Sequence, residues 1–184
     1  MRTVLIASLL LAASVCHAQW TKSEYRDELH NKSGVKFILP AKEEGGGIAV
    51  RCSDGKLEEA WLMTNKIADA RDGGRWNNAV VDIEYRRDDE PKPHQITLPV
   101  SDNFQGVLLQ SPDRVGLGPK SVLGFEQLLY GPVGFGGGEW KKNKKANNWA
   151  HRVIVGVSVY ASADVVYTFD VPDPSPVREA CGIK

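Results

Sequence analysis

Asp88, Asp89 and Glu90 follow one another in the chain. Carboxylates held that close could coordinate calcium or divide into an acid and a base, because like charges push each other's pKa values apart. Their neighbours favour a plainer reading. Arg86, Arg87 and Lys92 surround the three acids at a turn containing Pro91, a composition that neutralises itself in solvent, and a calcium loop would want alternating oxygen ligands and a glycine. Further along, Gly134, Gly136, Gly137 and Gly138 lead into Trp140, Lys141, Lys142, Lys144 and Lys145, with Trp149, His151 and Arg152 after them. Lysines beside tryptophans can hold a polyanion or a glycan, the cations meeting phosphate or acidic groups while the rings stack on bases or sugars. The competing reading is a long solvated connection whose tryptophans pack back on the core. Because long glycine-rich loops are uncommon unless functional or disordered, Trp140, Lys141, Lys142, Lys144, Lys145 and Trp149 form the candidate binding set.

Other chemistry lacks its residues. His30, His94 and His151 are far apart and have no second ligand at helical or strand spacing, so no metal site is expected. The chain has no Gly-x-Ser-x-Gly elbow, P-loop or dinucleotide fingerprint, and Gly45-Gly46-Gly47 precedes a strand rather than a helix. No cofactor and no catalytic residue is therefore expected, and the protein reads as non-enzymatic. A hydrolase using Asp88, Asp89 or Glu90 is the remaining enzyme reading, and Asp89→Asn would test it.

The cysteines speak to location. Met1-Arg2-Thr3, the apolar run from Val4 to Val15, and Cys16-His17-Ala18 read as an export signal over residues 1–18 cleaved near Ala18. The run is too short to cross a bilayer, which takes ~20 residues, and Val15 stands where a lipid-anchoring motif at Cys16 would want a small side chain. Cleavage leaves Cys52 and Cys181 as the only thiols. In an oxidising compartment such a pair is most simply a disulfide tying the C-terminus to the core; a redox-active pair would be expected to show Cys-x-x-Cys spacing. The expected location is periplasmic or secreted. With 22 basic against 23 acidic side chains after cleavage, the domain has no overall pull toward nucleic acid or anionic lipid.

The elements that must position these residues are mostly strands. Asp54-Gly55 between alternating runs predicts a hairpin with Cys52 opposite Leu57. Ala79–Arg86 alternates with Val81, Ile83 and Tyr85 inward. Ile96 and Leu98, Val107 and Leu109, Val153–Val159 and Val165–Val171 supply further strands. Thr21-Lys22-Ser23-Glu24 has capping-box spacing and predicts a short helix to about Leu29, and Ser121–Tyr130 predicts a second, stopped by Gly131-Pro132. The expected architecture is mostly β: one antiparallel β-sandwich over residues 19–184, stapled by a disulfide, with one or two short helices and a Gly/Lys-rich loop at 131–152.

In order along the chain, Ala49-Val50-Arg51-Cys52 with Gly55-Lys56-Leu57-Glu58, Glu84-Tyr85-Arg86-Arg87-Asp88-Asp89 before Pro91 and Pro93, Thr168-Phe169-Asp170-Val171, and Glu179-Ala180-Cys181-Gly182 resemble the exported VasI-like proteins of type VI secretion gene clusters. The resemblance spans about Val35 to Gly182. It implies a small exported accessory domain with paired cysteines, no established enzyme activity, and an envelope or secretion-system protein as partner. It carries over Cys52 and Cys181 as the staple, and Tyr85, Arg86, Asp88 and Asp89 as a turn motif. The chain departs from that pattern in the 131–152 segment and at Pro172-Asp173-Pro174-Ser175-Pro176.

Overall fold

The computed structural model describes residues 19–28, 31–65, 71–72, 79–101, 105–110, 123–132, 138–159 and 163–183. The expected export signal, His30 and Gly134, Gly136 and Gly137 lie outside the described residues. Along the chain run β1 (Thr21–Asp27), β2 (Lys32–Pro40), β3 (Gly47–Ser53), β4 (Lys56–Met63), β5 (Arg71–Asp72), β6 (Ala79–Arg87), β7 (His94–Pro99) and β8 (Gly106–Gln110). They are followed by α1 (Leu123–Tyr130), α2 (Gly138–Lys145), β9 (Arg152–Val157), β10 (Val165–Asp170) and α3 (Ser175–Ala180).

Asp54 and Gly55 both take positive φ, 51° and 67°, as a type I′ turn demands. β3 therefore folds back on β4 with Cys52 opposite Leu57, the expected register. β2 lies on the other edge of β3, β1 pairs with β2, and β8 pairs with β4, giving an antiparallel sheet in the order β1-β2-β3-β4-β8. In the second sheet β6 is central. Tyr85 pairs with His94 of β7 on one edge and with Val155 of β9 on the other, while the two-residue β5 extends the β9 side and β10 lies outside β9.

The sheets face each other across one apolar core. Ile48, Val50, Ala60, Leu62 and Val107 from the first meet Val81, Ile83, Val153, Val155 and Phe169 from the second, all buried. Each large side chain removed from water contributes about 1.5–3 kcal/mol. On one side the layers are joined, because the chain leaving β7 forms a Val100–Val107 bridge as it turns into β8. Phe125, Leu128 and Leu129 of α1 pack into the same core, and Trp20 meets Phe125 edge-on at 6.2 Å.

The Cys52–Cys181 disulfide forms, with both residues buried at 1% and 3% exposure. It holds α3, whose Val177 is fully buried, under the β3–β4 hairpin. Gly182 has φ 60°, and a Cβ there would lie 2.3 Å from the Gly55 carbonyl oxygen, so the terminal turn fits only glycine.

Three local expectations are corrected. Residues 21–27 are strand rather than helix: although Thr21 and Glu24 have capping-box spacing, pairing with β2 gives the same backbone a whole ladder of partners. The 131–152 segment is not simply a loop, since α2 occupies Gly138–Lys145, where Glu and Lys are good helix formers and Lys142, Lys144 and Lys145 suit the negative end of the helix dipole. α3 is a third helix where Pro172, Pro174 and Pro176 suggest none; proline is tolerated in a first turn, whose amides have no helical acceptor.

The outer edge of β10 is closed by the chain between β2 and β3. The Lys42 N–H donates to the Thr168 carbonyl at 2.9 Å, the Thr168 N–H donates to the Glu43 carboxylate at 2.5 Å, and Lys42 Nζ lies 2.8 Å from Asp170. Burial acts to raise the Glu43 carboxyl pKa, but hydrogen bonds from Thr168 and from its own backbone amide, with the Lys42 charge, together outweigh it and hold the group below the usual carboxylate value. A lowered folded pKa contributes stability that is present above the unfolded value and is lost as pH falls through the folded one. Acidification below the ordinary glutamate range should therefore lower the protection of the Thr168 amide, relative to its intrinsic exchange rate at the same pH, before the core strands respond. Unchanged exchange in Glu43→Ala at neutral pH would show that the carboxylate does not close this edge.

Candidate functional site

The three consecutive acids are separated by the conformation of the turn. Asp88 takes φ 43°, a left-handed conformation that Asp tolerates better than most side chains. Its Oδ1 accepts hydrogen bonds from the N–H groups of His151 at 2.8 Å and Arg152 at 2.9 Å, and its own N–H donates to the Arg152 carbonyl at 2.8 Å. Asp88 thus clamps the start of β9 to the end of β6. Glu90 turns the other way. It accepts from the Arg87 backbone N–H at 3.1 Å, pairs with the Arg87 guanidinium, and lies 3.1 Å from His94 Nε2. Asp89 points into solvent, 3.7 Å from Arg152.

The expected solvated tip thus needs correction at Arg87, which is only 8% exposed and lies against Gly131, where a Cβ would come within 2.7 Å of its guanidinium. The other two motif residues part company across the sheet. Tyr85 is buried on the core face with its ring 5.3 Å from that of His94, whereas Arg86 is exposed on the outer face. Around Arg86, with Glu84, Pro93, Ile154, Gly156 and Val166, lies an open depression of about 240 Å³. A Cβ on Gly156 would meet nothing nearer than the Glu84 carbonyl oxygen at 3.8 Å, so the depression owes its room to the missing side chain.

Asp88→Ala should cost about 1–2 kcal/mol, the value of a carboxylate that accepts from two backbone amides at an element end. Asp88→Asn should lose less, and Asp89→Asn should stay within about 0.5 kcal/mol of the parent. Urea unfolding checks the series, and equal losses at 88 and 89 would refute the clamp.

The lysine and tryptophan set also divides. Lys141, Lys142 and Lys145 are exposed on α2, and Trp140 lies on the same helix with its side chain outside the described residues. Lys144 turns inward, its Nζ 2.7 Å from Glu126 Oε1 in α1. Glu126 is 1% exposed, and Asn143 Nδ2 donates to the Tyr130 carbonyl at 3.0 Å beside it. Burial, with Glu126 nearby, pushes the Tyr130 phenol pKa up. Trp149 packs against the core and meets the His151 ring edge-on at 5.9 Å. Three cations on one exposed helix therefore remain available for binding, while Lys144 fastens α2 to α1 and Trp149 packs on the core.

The Glu126–Lys144 pair was missed by sequence reading. A glutamate in the apolar helix Leu123–Tyr130 is the local signal for a buried charge, but its partner is 18 residues away. Among the described residues no group of three or more His, Cys, Asp or Glu side chains gathers as metal ligands would, and no helix is long and apolar enough to cross a membrane. No family model, curated protein or solved structure matches the chain.

Proposed function

We propose that this chain is a non-enzymatic exported interaction protein of the bacterial envelope, an accessory domain like the VasI-like proteins of type VI secretion clusters, with an envelope or secretion-system protein as partner. The buried Cys52–Cys181 bridge carries the reading. A cross-link inside the core between residues 129 apart belongs to an oxidising compartment. The Met1–Ala18 sequence, the resemblance and the structural use of Asp88 and Glu90 agree with it. Fractionation of cells expressing the full chain, followed by alkylation of free thiols and mass measurement, tests location. The expected product begins near Gln19, lies in the periplasm or medium, and carries no alkylatable cysteine. A cytoplasmic product with reduced Cys52 and Cys181 overturns the reading.

The three exposed lysines of α2 favour a second reading, binding of a polyanion or glycan. Pull-down from envelope extract at low and high salt, beside a Lys141→Gln, Lys142→Gln, Lys145→Gln variant, separates the two. A single protein captured at high salt by both baits, and again when purified, supports the accessory role. Nucleic acid or glycan lost with salt and with the variant supports the second, because phosphate contacts release counterions.

A further inference from the structure

Sheet edges are pairing sites unless something closes or blunts them, and among the described residues β1 is the long edge with neither a capping chain nor a flanking proline. β10 is capped by Lys42 and Glu43. β7 is flanked by Pro93, ends at Pro99, and runs into the Val100–Val107 bridge. β8 is overlain by α1, where a Cβ on Gly124 would sit 2.6 Å from the Leu109 carbonyl oxygen. β1 pairs with β2 along all seven residues and, among the described residues, has no strand on its other side. Its register places Lys22 opposite Phe37 and Glu24 opposite Val35, on the inward face. Lys22, Glu24 and Arg26 are nevertheless exposed, because the second sheet does not extend over them.

Inward-pointing charges on an edge ordinarily repel a visiting strand. These alternate in sign, and in one alignment the alternation complements itself. We propose that β1 pairs antiparallel with β1 of a second copy of this chain, about a two-fold axis through Tyr25, joining the two first sheets into one. The pleat allows only registers that place residues of the same face opposite each other. With the axis at Tyr25, Glu24 faces Arg26 of the second copy and Lys22 comes opposite Glu28, the turn residue just beyond β1, each twice by symmetry. An axis at Glu24 sets that residue against itself and Lys22 against Arg26. An axis at Arg26 sets Arg26 against itself and Glu24 against Glu28, and an axis at Ser23 keeps only the Lys22–Glu24 pair. The Tyr25 rings then meet on the outer face, each already fixed by Glu58, which its hydroxyl donates to at 2.6 Å, and by the Arg51 guanidinium 4.5 Å from its centroid. Opposite charges and aromatic rings directly across a strand pair are both favourable. A foreign strand would have to match the same charge order, so the pattern selects its own copy.

Sedimentation of the oxidised mature chain over a concentration series is the test. A monomer–dimer equilibrium is expected. Glu24→Lys turns two attractive pairs into two repulsive ones and should raise the dissociation constant on the order of tenfold. Arg26→Glu should do the same, and the double exchange Glu24→Lys with Arg26→Glu should restore dimerisation. These residues are exposed, so thermal melting at concentrations below the dissociation constant should be unchanged and separates loss of pairing from loss of fold. Directly opposed residues bring Cα atoms to about 4.5–5.5 Å, within disulfide reach; Tyr25→Cys should therefore link two chains on oxidation, and Ser23→Cys should not. A monomer at every concentration, self-association indifferent to Glu24→Lys, failure of the double exchange to rescue, or linking at 23 in place of 25 overturns the proposal.

Discussion

Reduction of the Cys52–Cys181 bridge is expected to lower the unfolding free energy by about 2–5 kcal/mol, the usual loss when a small domain loses its native disulfide. The chain-entropy model places a loop of 129 residues near the top of that range, because the reduced chain regains the freedom of almost its whole length. Urea titration measures the change. Cys52→Ser, Cys181→Ser and the double substitution should lose similar amounts, since each removes the same link and their effects cannot add. Hydrogen exchange should rise first in α3, which keeps buried Val177 but loses its anchor under the hairpin. An oxidised and a reduced protein with one midpoint would mean that the packing of α3 alone holds the C-terminus.

Lys144→Met should cost about 3 kcal/mol, the low end for removing one partner of a buried ion pair, because Lys144 keeps some contact with solvent while Glu126 keeps almost none. Its Oε2 already lacks a hydrogen-bond partner, so losing Nζ leaves the carboxylate without its cation. Adding Glu126→Leu should recover most of the loss, since apolar replacement of both partners is often neutral. Lys141→Gln, Lys142→Gln and Lys145→Gln should each stay within about 0.5 kcal/mol. If all four lysines behaved alike in thermal unfolding, the inward assignment of Lys144 would fail. The distinction matters for binding assays, because changing all four would mix a folding defect with a lost surface.

Period-two segments were legible because their signal is local. Val81, Ile83 and Tyr85 alternate inward as expected, the Asp54–Gly55 turn sets Cys52 against Leu57, and the even pair of thiols forms the staple. Residues 21–27 were misread because a capping box spans four positions and carries no information about Val35 and Phe37, whose strand captures β1. α2 was obscured by its approach through glycines and by the lack of an apolar stripe; what fastens it is Glu126, in another helix. The turn acids show the same limit. Three adjacent carboxylates suggested one site, yet a left-handed Asp88 sends its side chain to amides 63 and 64 residues on, and Glu90 returns to Arg87. Chemistry in the residue types was visible, but its destination depended on pairings across the fold.

The bridge also sets a timetable. Cys52 and Cys181 are 129 residues apart, so a polypeptide delivered N-terminus first exposes Cys52 long before its mate arrives. At ordinary synthesis rates the interval is on the order of ten seconds, ample for a strand hairpin to form and for a lone thiol to find a wrong partner. The clasp must wait for residue 181, and slow delivery of that segment lengthens the period in which the hairpin can form but is not yet locked.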